Sequence, residues 1–345
     1  MKTVFIIGEQ RSGSNLLRLM LNELPGVCAP HPPHLLDRLM PISSRFGDLH
    51  WNECFDELVD AACCLIEHNP VSWRSAPFVR SEIRKCCETR SLMAIYAALM
   101  RKEATINRAS TWVCKSMQNV RWASQIEAYF SSPFYLYLHR DPRDVYHSFQ
   151  KTLVGEKHPF HVASRWVELQ NQCLALEERV GSKRFHRISY AQLVTESEHT
   201  MRSICSFLSI PFEARALEPH LGSEAQRTAA AGSQWENVTL PINLSSLQSH
   251  KERHDPDAHR IIELTAGKLM KILNYPLPEA AATPKNQGFS DQELCTFDML
   301  NRRWKDDVKK QAPERERQAM ASQEEILMSL KLRLESTAEL STVVP

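Results

Sequence analysis

The sequence predicts an α/β protein: a three-layer α/β/α domain on a central, mainly parallel sheet, with a helical C-terminal extension. Short runs rich in β-branched and aromatic residues alternate with longer amphipathic segments. Strands separated by helices pair in parallel through crossover connections. Beyond residue 288 the chain becomes charge-dense and helix-favouring. We therefore expect a domain over residues 1–279, a linker at 280–288 and a helical arm over 289–345.

Local patterns place the individual elements. Strands are predicted at Thr3–Ile7, Thr111–Cys114, Pro133–Leu138 and Arg184–Ser189. Helices are predicted at Ser14–Leu24, Trp51–His68, Ser91–Ile106, His161–Val180, Thr195–Leu208 and Asp257–Leu273. A further helix should begin at Asp141, because Asp is a favoured N-cap and Pro142 suits the first helical position. Residues 222–256 are predicted to be irregular.

The C-terminal arm is predicted to contain two helical parts. A break is expected at Pro313, which divides the charge-dense stretch from Asp291 to Leu334 into two helical parts. These parts are predicted to form an αα-hairpin or a coiled-coil arm, packed on the body or on another protomer.

Composition excludes several classes of protein. The chain has 345 residues, with 42 Lys and Arg against 41 Asp and Glu, so the strongly basic balance of many nucleic-acid-binding proteins is missing. Mean hydropathy is −0.37, and no run of eighteen apolar residues predicts a membrane span. The ten cysteines include no CxxC spacing of the kind found in zinc sites. We expect reduced thiols and a cytoplasmic location.

Residues 8–15, reading GEQRSGSN, have the spacing of a phosphate-binding loop between a strand and a helix. Such a loop directs backbone N–H groups and a helix N-terminus at an anion. A nucleoside triphosphatase would need Lys in place of Ser14, and Ser or Thr in place of Asn15 to hold magnesium. The remaining features, with Arg11 inside the loop, suit a 5′-phosphate without a metal. The alternative is a glycine-bounded turn that binds nothing.

A second candidate segment, HRDPRDVYHS, covers residues 139–148. Arg140 leaves the end of a core strand, the usual position of ligand contacts in open α/β sheets. Ser148 lies two turns into the following helix, and the pair could hold a separate phosphate by charge-assisted hydrogen bonds. The alternative is that Arg140 pairs with Asp144 and only caps the sheet edge.

Together the two segments resemble the sulfotransferases that use 3′-phosphoadenosine-5′-phosphosulfate (PAPS). That family holds the 5′-phosphosulfate with a loop of the form PRSGTTLL, and here residues 10–17 read QRSGSNLL. An Arg and a Ser eight residues apart hold the 3′-phosphate, which is the spacing of Arg140 and Ser148. The segment starting at Tyr190 is also similar to the family. The resemblance covers about residues 1–275, is nearest to the tyrosylprotein and bacterial branch, and implies a P-loop-like fold.

The resemblance implies the residues of a donor site. Arg11 and the backbone N–H groups of the loop would hold the phosphosulfate: Ser12, Gly13, Ser14 and Asn15. Lys115 ends the second predicted strand and matches a family Lys that contacts the sulfonate and the bridging oxygen. The alternative is an exposed Lys at a strand end.

Three further donor contacts are implied more weakly. Tyr190 belongs to the family-like segment after the fourth predicted strand. Ser233 and Lys251 would correspond to a Ser and a Lys that close over the nucleotide in the tyrosylprotein branch. Residues 222–255 are then either a lid or an ordinary surface loop.

The general base is where the sequence departs from the tyrosylprotein branch, which carries a Glu pair after the first helix. Here the corresponding residues 27–34 read VCAPHPPH and contain no carboxylate. A His can accept a proton from a hydroxyl near neutral pH. We expect His31 to be the base, with His34 as the second candidate and His139 and His147 as others.

The sequence thus predicts a sulfotransferase that moves a sulfuryl group from PAPS to an acceptor hydroxyl or amine by in-line transfer. The products would be a sulfated acceptor and adenosine 3′,5′-bisphosphate, and no metal would be required. Lys115 and Arg11 would neutralise charge on the sulfonate and the bridging oxygen. No motif distinguishes a small-molecule, glycan or peptide acceptor. The alternatives are a degenerate P-loop kinase, or a non-catalytic nucleotide-binding or scaffold protein that forms homo-oligomers through residues 289–340.

Overall fold

A five-stranded parallel sheet forms the centre of the molecule. The computed structural model describes residues 1–150, 152–253, 255–278 and 288–341. The strands are β1 (Lys2–Gly8), β2 (Val27–Cys28), β3 (Thr111–Cys114), β4 (Phe134–His139) and β5 (Phe185–Ser189). Their order in the sheet is β2-β3-β1-β4-β5, and each pair of neighbours is parallel. The predicted α/β class is confirmed, and the edge strand β2 was not predicted because two residues carry no periodic signal.

Helices cover both faces of the sheet. The first seven are α1 (Ser14–Asn22), α2 (Leu35–Leu39), α3 (Asn52–Glu67), α4 (Arg80–Lys85), α5 (Leu92–Ile106), α6 (Ala123–Tyr129) and α7 (Pro142–Phe149). They are followed by α8 (Pro159–Val180), α9 (Tyr190–Thr195), α10 (Ser197–Leu208), α11 (Ser223–Ala230), α12 (Ser249–Glu252) and α13 (Pro256–Ile272). The C-terminal pair is α14 (Asp291–Gln311) and α15 (Glu314–Ser341). None of the described helices is long and apolar enough to cross a membrane.

The alternation of side chains along the strands explains the three layers. In β1, Phe5 and Ile7 pack into one hydrophobic cluster, whereas Val4 and Ile6 pack into the cluster on the opposite face. All four side chains are fully buried. A strand that is apolar on both faces must be covered by helices on both sides, as parallel strands usually are.

The strand order places the candidate residues at one edge. The chain goes from β1 to the edge strand β2, returns to β3 beside β1, and then crosses to β4 on the other side of β1. This reversal creates a crevice at the carboxyl ends of β1, β3 and β4, where open α/β sheets bind ligands. Three of the predicted site features lie at this edge: the loop that follows β1, Lys115 directly after β3, and Arg140 directly after β4.

Residues 222–256 are more regular than the sequence predicted. They contain α11, α12 and a 3-10 helix at Ser233–Thr239. The helix α11 is held by its Glu224 and Thr228 side chains, which accept hydrogen bonds from Arg18 of α1. These long-range contacts stabilise a polar segment whose own pattern does not indicate a helix.

The C-terminal arm contains two helices, α14 and α15, with a break between Gln311 and Glu314, where Pro313 predicted one. It packs on the body of the same chain. The ring of Phe297 on α14 stacks on His158 at 4.4 Å, and Leu330 and Leu334 of α15 are buried in the main core. The predicted linker at 280–288, apart from Gly288, lies outside the described residues.

Candidate active site

A cavity of about 670 Å³ opens at the carboxyl edge of the sheet. Its volume is within the range of about 300–1,000 Å³ that is usual for small-molecule sites. The structure brings most of the predicted site residues to its walls: Arg11, Gly13, Ser14, Asn15, His31, His34, Lys115, Arg140, Ser148 and Tyr190. Ser12, within the same loop, is fully buried and does not line the cavity.

The loop after β1 is held in a conformation that exposes the start of α1. Gly8, Arg11 and Gly13 have φ angles of 129°, 66° and 90°. A Cβ atom at residue 13 would lie 2.4 Å from Cδ2 of Tyr190, so only glycine fits against that ring. Gly13 is also the N-cap of α1, and no side chain caps the helix. The first N–H groups of α1 therefore have no side-chain cap, and Ser14, Asn15 and Leu16 line the cavity. A helix N-terminus of this kind can bind an anion.

Three cations converge on this loop. Arg11 Nε donates to Ser148 Oγ at 3.0 Å. Lys115 Nζ donates to Asn15 Oδ1 at 3.0 Å, and an Arg140 guanidinium N–H donates to the Arg11 carbonyl oxygen at 3.0 Å. The two candidate phosphate segments, separated by more than a hundred residues in sequence, are therefore joined through side-chain contacts.

Burial and nearby positive charges lower the pKa values of Lys115 and Arg11. Burial, with the nearby charges of Arg18 and Arg11, lowers the pKa of Lys115 to about 7. Burial and the charge of Arg140 lower the pKa of Arg11 to about 10. An anion placed among them would relieve the repulsion, so this arrangement of charges favours anion binding.

Arg140 is oriented from several sides. Its guanidinium lies 4.5 Å from the centroid of the Tyr190 ring, and its Nε lies 3.7 Å from Asp144 Oδ2. Asp144 also accepts hydrogen bonds from the backbone N–H of His250 and from Nδ1 of its ring, each at 2.9 Å. The predicted pairing of Arg140 with Asp144 is thus present, and the same arginine also contacts the loop and the Ser246 carbonyl oxygen.

His31 lines the cavity, and its ring is held by Asn69 with Nε2 buried. Asn69 Nδ2 donates to the His31 carbonyl oxygen at 3.3 Å, which turns Asn69 Oδ1 toward His31 Nδ1 at 3.2 Å. Nδ1 therefore carries the proton, and the buried Nε2 has no hydrogen-bond partner among the described residues. Burial, followed by the charges of Arg18 and Lys115, holds the pKa of His31 well below its ordinary value, so the ring is neutral at pH 7.

The other predicted histidines differ in position. His34 lines the cavity, and burial with the nearby Arg38 holds its pKa well below the ordinary value. His139 and His147 do not line it; their rings contact the Tyr275 hydroxyl at 2.7 Å and His259 at 2.8 Å respectively. The geometry therefore favours His31 and His34 over the other two as candidate bases.

Part of the segment 222–255, which was predicted to be a lid or a surface loop, lines the cavity. Trp235 lines the cavity, and its ring meets that of His31 edge-on at 5.0 Å. The backbone of Ser233 begins a 3-10 helix, but its side chain lies outside the part of the chain that the structure describes. Lys251 is exposed and does not line the cavity, whereas Arg253 does.

Sequence reasoning missed Arg18, which is fully buried on α1. Its Nη1, which carries two hydrogens, donates to the Ala29 carbonyl oxygen and to Glu224 Oε1, each at 2.9 Å. It therefore connects the helix of the phosphate loop to the segment that carries His31 and to α11. A single Arg on an amphipathic helix is usually exposed, so the sequence contains no signal for this role.

The chain was compared with known proteins. A sequence model of the sulfotransferase family matches residues 3–214. Protein-tyrosine sulfotransferase A of Caenorhabditis elegans is 24% identical over 302 residues, which cover 84% of this chain and 70% of that protein.

Two solved structures share the fold. The sulfotransferase domain of the Synechococcus PCC 7002 olefin synthase has a TM-score of 0.50 and 22% identity, covering 81% of this chain and 96% of that domain. The sulfotransferase domain from the curacin biosynthetic pathway has a TM-score of 0.50 and 23% identity, covering 80% and 99% respectively. With the family match extending over more than half of its length, the chain belongs to the sulfotransferase family.

Proposed function

We propose that this protein transfers a sulfuryl group from PAPS to an acceptor hydroxyl or amine. The observation that carries the proposal is the convergence of Arg11, Lys115 and Arg140 on the uncapped start of α1. Ser12 Oγ, fully buried in the loop, has no hydrogen-bond partner among the described residues. Hydrogen-bond donors without a partner and several positively charged side chains thus lie together at one helix N-terminus. This combination fits a ligand with several anionic groups.

The two phosphate segments would bind the two anionic groups on the ribose of the donor. The backbone N–H groups of residues 12–15, with Arg11, would hold the 5′-phosphosulfate, and Arg140 with Ser148 would hold the 3′-phosphate. The hydrogen bond between Arg11 and Ser148 supports this proposal, because it joins a side chain of each proposed subsite. Tyr190, packed against Arg140, keeps that guanidinium aimed at the cavity.

His31 would act as the general base. In the transfer, the acceptor oxygen forms a bond to sulfur while the bond from sulfur to the bridging oxygen breaks, in line with it. Nε2 of His31 accepts the proton that the acceptor hydroxyl loses, and adenosine 3′,5′-bisphosphate leaves with the bridging electron pair. The neutral ring and its fixed Nδ1–H support this role, because a base must be unprotonated before the reaction.

Lys115 and Arg11 would stabilise the charge that develops on the bridging oxygen. Both side chains are already held beside the loop before a ligand arrives. Such preorganised cations need no rearrangement in the transition state, which is the main advantage of electrostatic catalysis.

The test is donor consumption with a mixed acceptor panel. PAPS is incubated with the protein and with phenols, a tyrosine-containing peptide, an unsulfated glycan and an amine, and both bisphosphate and sulfated products are measured by mass spectrometry. The proposal predicts products far above the spontaneous rate in the wild type and a loss of at least a hundredfold in His31→Ala. The control His50→Ala removes an exposed ring that contacts Asp48 and should be unaffected.

The alternatives predict different results. A degenerate kinase would consume ATP rather than PAPS under the same conditions. A non-catalytic nucleotide-binding or scaffold protein would leave both donors intact. Either result would contradict the proposed sulfotransferase activity.

A further inference from the structure

We propose that Arg18 is a positioning residue that holds the segment carrying His31 at a fixed distance from the start of α1. The inference rests on the proposed function, since it concerns the alignment of the base with the donor. Arg18 lies one turn beyond Ser14, the first residue of α1, and its side chain is fully buried. It does not line the cavity, so it can act on the reaction only through other residues.

Two side chains of α1 hold the backbone at Ala29, two residues before His31. Arg18 Nη1 donates to the Ala29 carbonyl oxygen at 2.9 Å, and Asn22 Oδ1 accepts from the Ala29 N–H at 3.0 Å. Residues 18 and 22 are four positions apart and therefore lie on the same face of the helix. Pro30 follows directly, and its ring fixes φ. The path from α1 to His31 is therefore held tightly.

The same guanidinium group is joined to α11. Glu224 Oε1 accepts a hydrogen bond from Nη1 at 2.9 Å, and Thr228 Oγ1 accepts one from Nη2 at 2.8 Å. Glu224 is 9% exposed and Thr228 is fully buried, so the ion pair between Arg18 and Glu224 is shielded from water. Because desolvation offsets much of the attraction in a buried ion pair, we assign this pair a role in geometry rather than in stability.

The helix α11 leads back to His31 by a second route. Arg227 Nη1 donates to Glu224 Oε2 at 3.1 Å, and Arg227 also donates to the Ser72 carbonyl oxygen. Ser72 directly precedes Trp73, whose Nε1 donates to the His31 carbonyl oxygen at 2.8 Å. His31 is thus connected to α1 through the residues that precede it, and to α11 through Trp73.

The charge of Arg18 also acts on two of the proposed catalytic groups. After burial, it is the largest cause that lowers the pKa of His31, and the same holds for the pKa of Lys115. The other charges that act on His31 are Lys115, after β3, and His34, on its own segment, while the hydrogen bond to Asn69 opposes them. Removing the guanidinium charge therefore raises both pKa values. A loss of packing alone would not produce this effect.

The test compares two variants that are expected to fold. Arg18→Gln/Glu224→Gln removes the ion pair without leaving a buried charge unpaired, and Asn22→Ala removes only the acceptor of the Ala29 N–H, at a partly exposed position. With PAPS and an acceptor that the wild type uses, kcat should fall at least tenfold in the double variant and at least threefold in Asn22→Ala. At pH 6, where Lys115 is charged in each protein, calorimetry should give bisphosphate affinities within threefold of the wild type.

The charge effect is measured on the histidine ring itself. The NMR signals of His31, assigned by their loss in His31→Ala, should titrate at higher pH in the double variant than in the wild type. In Asn22→Ala, which keeps the Arg18 charge, they should titrate as in the wild type. Arg184→Gln is the matched control, because it removes an ion pair with Glu127 directly before β5, at the sheet edge opposite the cavity. It should leave kcat and the His31 titration unchanged.

The outcomes separate this inference from the proposed function. If the double variant keeps the wild-type kcat, or if kcat and bisphosphate affinity fall in parallel in both variants, Arg18 is not a positioning residue and the inference is overturned. If the double variant does not fold, a wild-type kcat in Asn22→Ala overturns it. If the wild type transfers no sulfuryl group, the proposed function fails, and an unshifted His31 titration would then overturn the inference as well.

Discussion

At the scale of single residues, the proposed mechanism depends on how His31 is held. Asn69 fixes the proton on Nδ1, which leaves Nε2 unprotonated and without a hydrogen-bond partner among the described residues. The sequence indicated a histidine in this segment, but not its partner, because Asn69 is thirty-eight positions away and an isolated Asn carries no signal. Orientation by a second side chain is often what separates a catalytic histidine from a structural one.

A substitution of Asn69 should therefore lower kcat without changing the affinity of the donor site for its nucleotide. In Asn69→Ala, His31 loses the acceptor that fixes its tautomer, and we expect kcat to fall by one to two orders of magnitude. The affinity for adenosine 3′,5′-bisphosphate should be unchanged, as measured by calorimetry. Equal losses in donor affinity and in kcat would indicate a folding defect instead and would contradict the positioning role.

Lys115 should make donor binding depend on pH. Its pKa is about 7 in the free protein, because burial and the charges of Arg18 and Arg11 disfavour the ammonium form. A bound anion favours the charged form and raises this pKa. Binding then takes up a proton above pH 7, and affinity for bisphosphate should fall by up to about tenfold per pH unit as pH rises.

The proton uptake is measured by calorimetry at pH 8 in two buffers of different ionisation enthalpy. Uptake approaching one proton is expected in the wild type. Lys115→Arg keeps a charged side chain at pH 8, so its uptake should be close to zero. Identical uptake in the two proteins would assign the proton to another group.

At the scale of elements, the phosphate loop and α1 form one unit whose geometry depends on Gly13. Its φ of 90° and its contact with Tyr190 leave no space for a side chain. The spacing of the glycines predicted this loop from the sequence alone. The contact with α9 was not predictable, because it joins segments almost 180 residues apart.

Gly13→Ala should distort the anion site. The added methyl group would meet the Tyr190 ring, and the positive φ would add strain, together costing about 1–3 kcal/mol of stability. Because the start of α1 must shift, bisphosphate affinity should fall at least tenfold. Thermal unfolding and calorimetry measure the two effects.

Gly181→Ala is the matched control. Gly181 has a similar φ of +72° but nothing within 4 Å of an added Cβ. This variant should lose some stability through backbone strain and keep full affinity for the bisphosphate. If Gly13→Ala also retained full affinity, the helix N-terminus would not be the anion site.

Prediction from sequence was reliable where local patterns decide the structure, and weaker where distant contacts decide it. The strand positions and the N-cap at Asp141 follow from local chemistry, and Asp141 does accept from the Arg143 N–H. In contrast, Lys251 was predicted as the cation of its segment, and Arg253 lines the cavity instead. Two residues that are two positions apart point in different directions on or next to a short helix such as α12. Which of them faces the cavity depends on how α12 packs on α7.

At the scale of the whole molecule, the site is assembled from the entire length of the chain. The sheet edge supplies Arg11, Lys115 and Arg140, the segment after β2 supplies His31, and α15 lines the same cavity with Gln323, Glu324 and Leu327. The sequence predicted a helical arm packed on the body or on another protomer, without linking it to the site. The reason is physical: charge-dense amphipathic helices carry the same pattern whether they cover a core or a cavity.

The central claim is that Arg140 and the loop after β1 bind a nucleotide with phosphates at both the 3′ and 5′ positions. The most direct measurement is titration calorimetry with adenosine 3′,5′-bisphosphate, ADP and Mg-ATP on the wild type and on Arg140→Ala. We predict micromolar binding of the bisphosphate in preference to the other two, weakened by about 1.5–3 kcal/mol in the variant, as expected for hydrogen bonds to a charged group. Equal or tighter binding of Mg-ATP, or no binding of any nucleotide, would contradict the account.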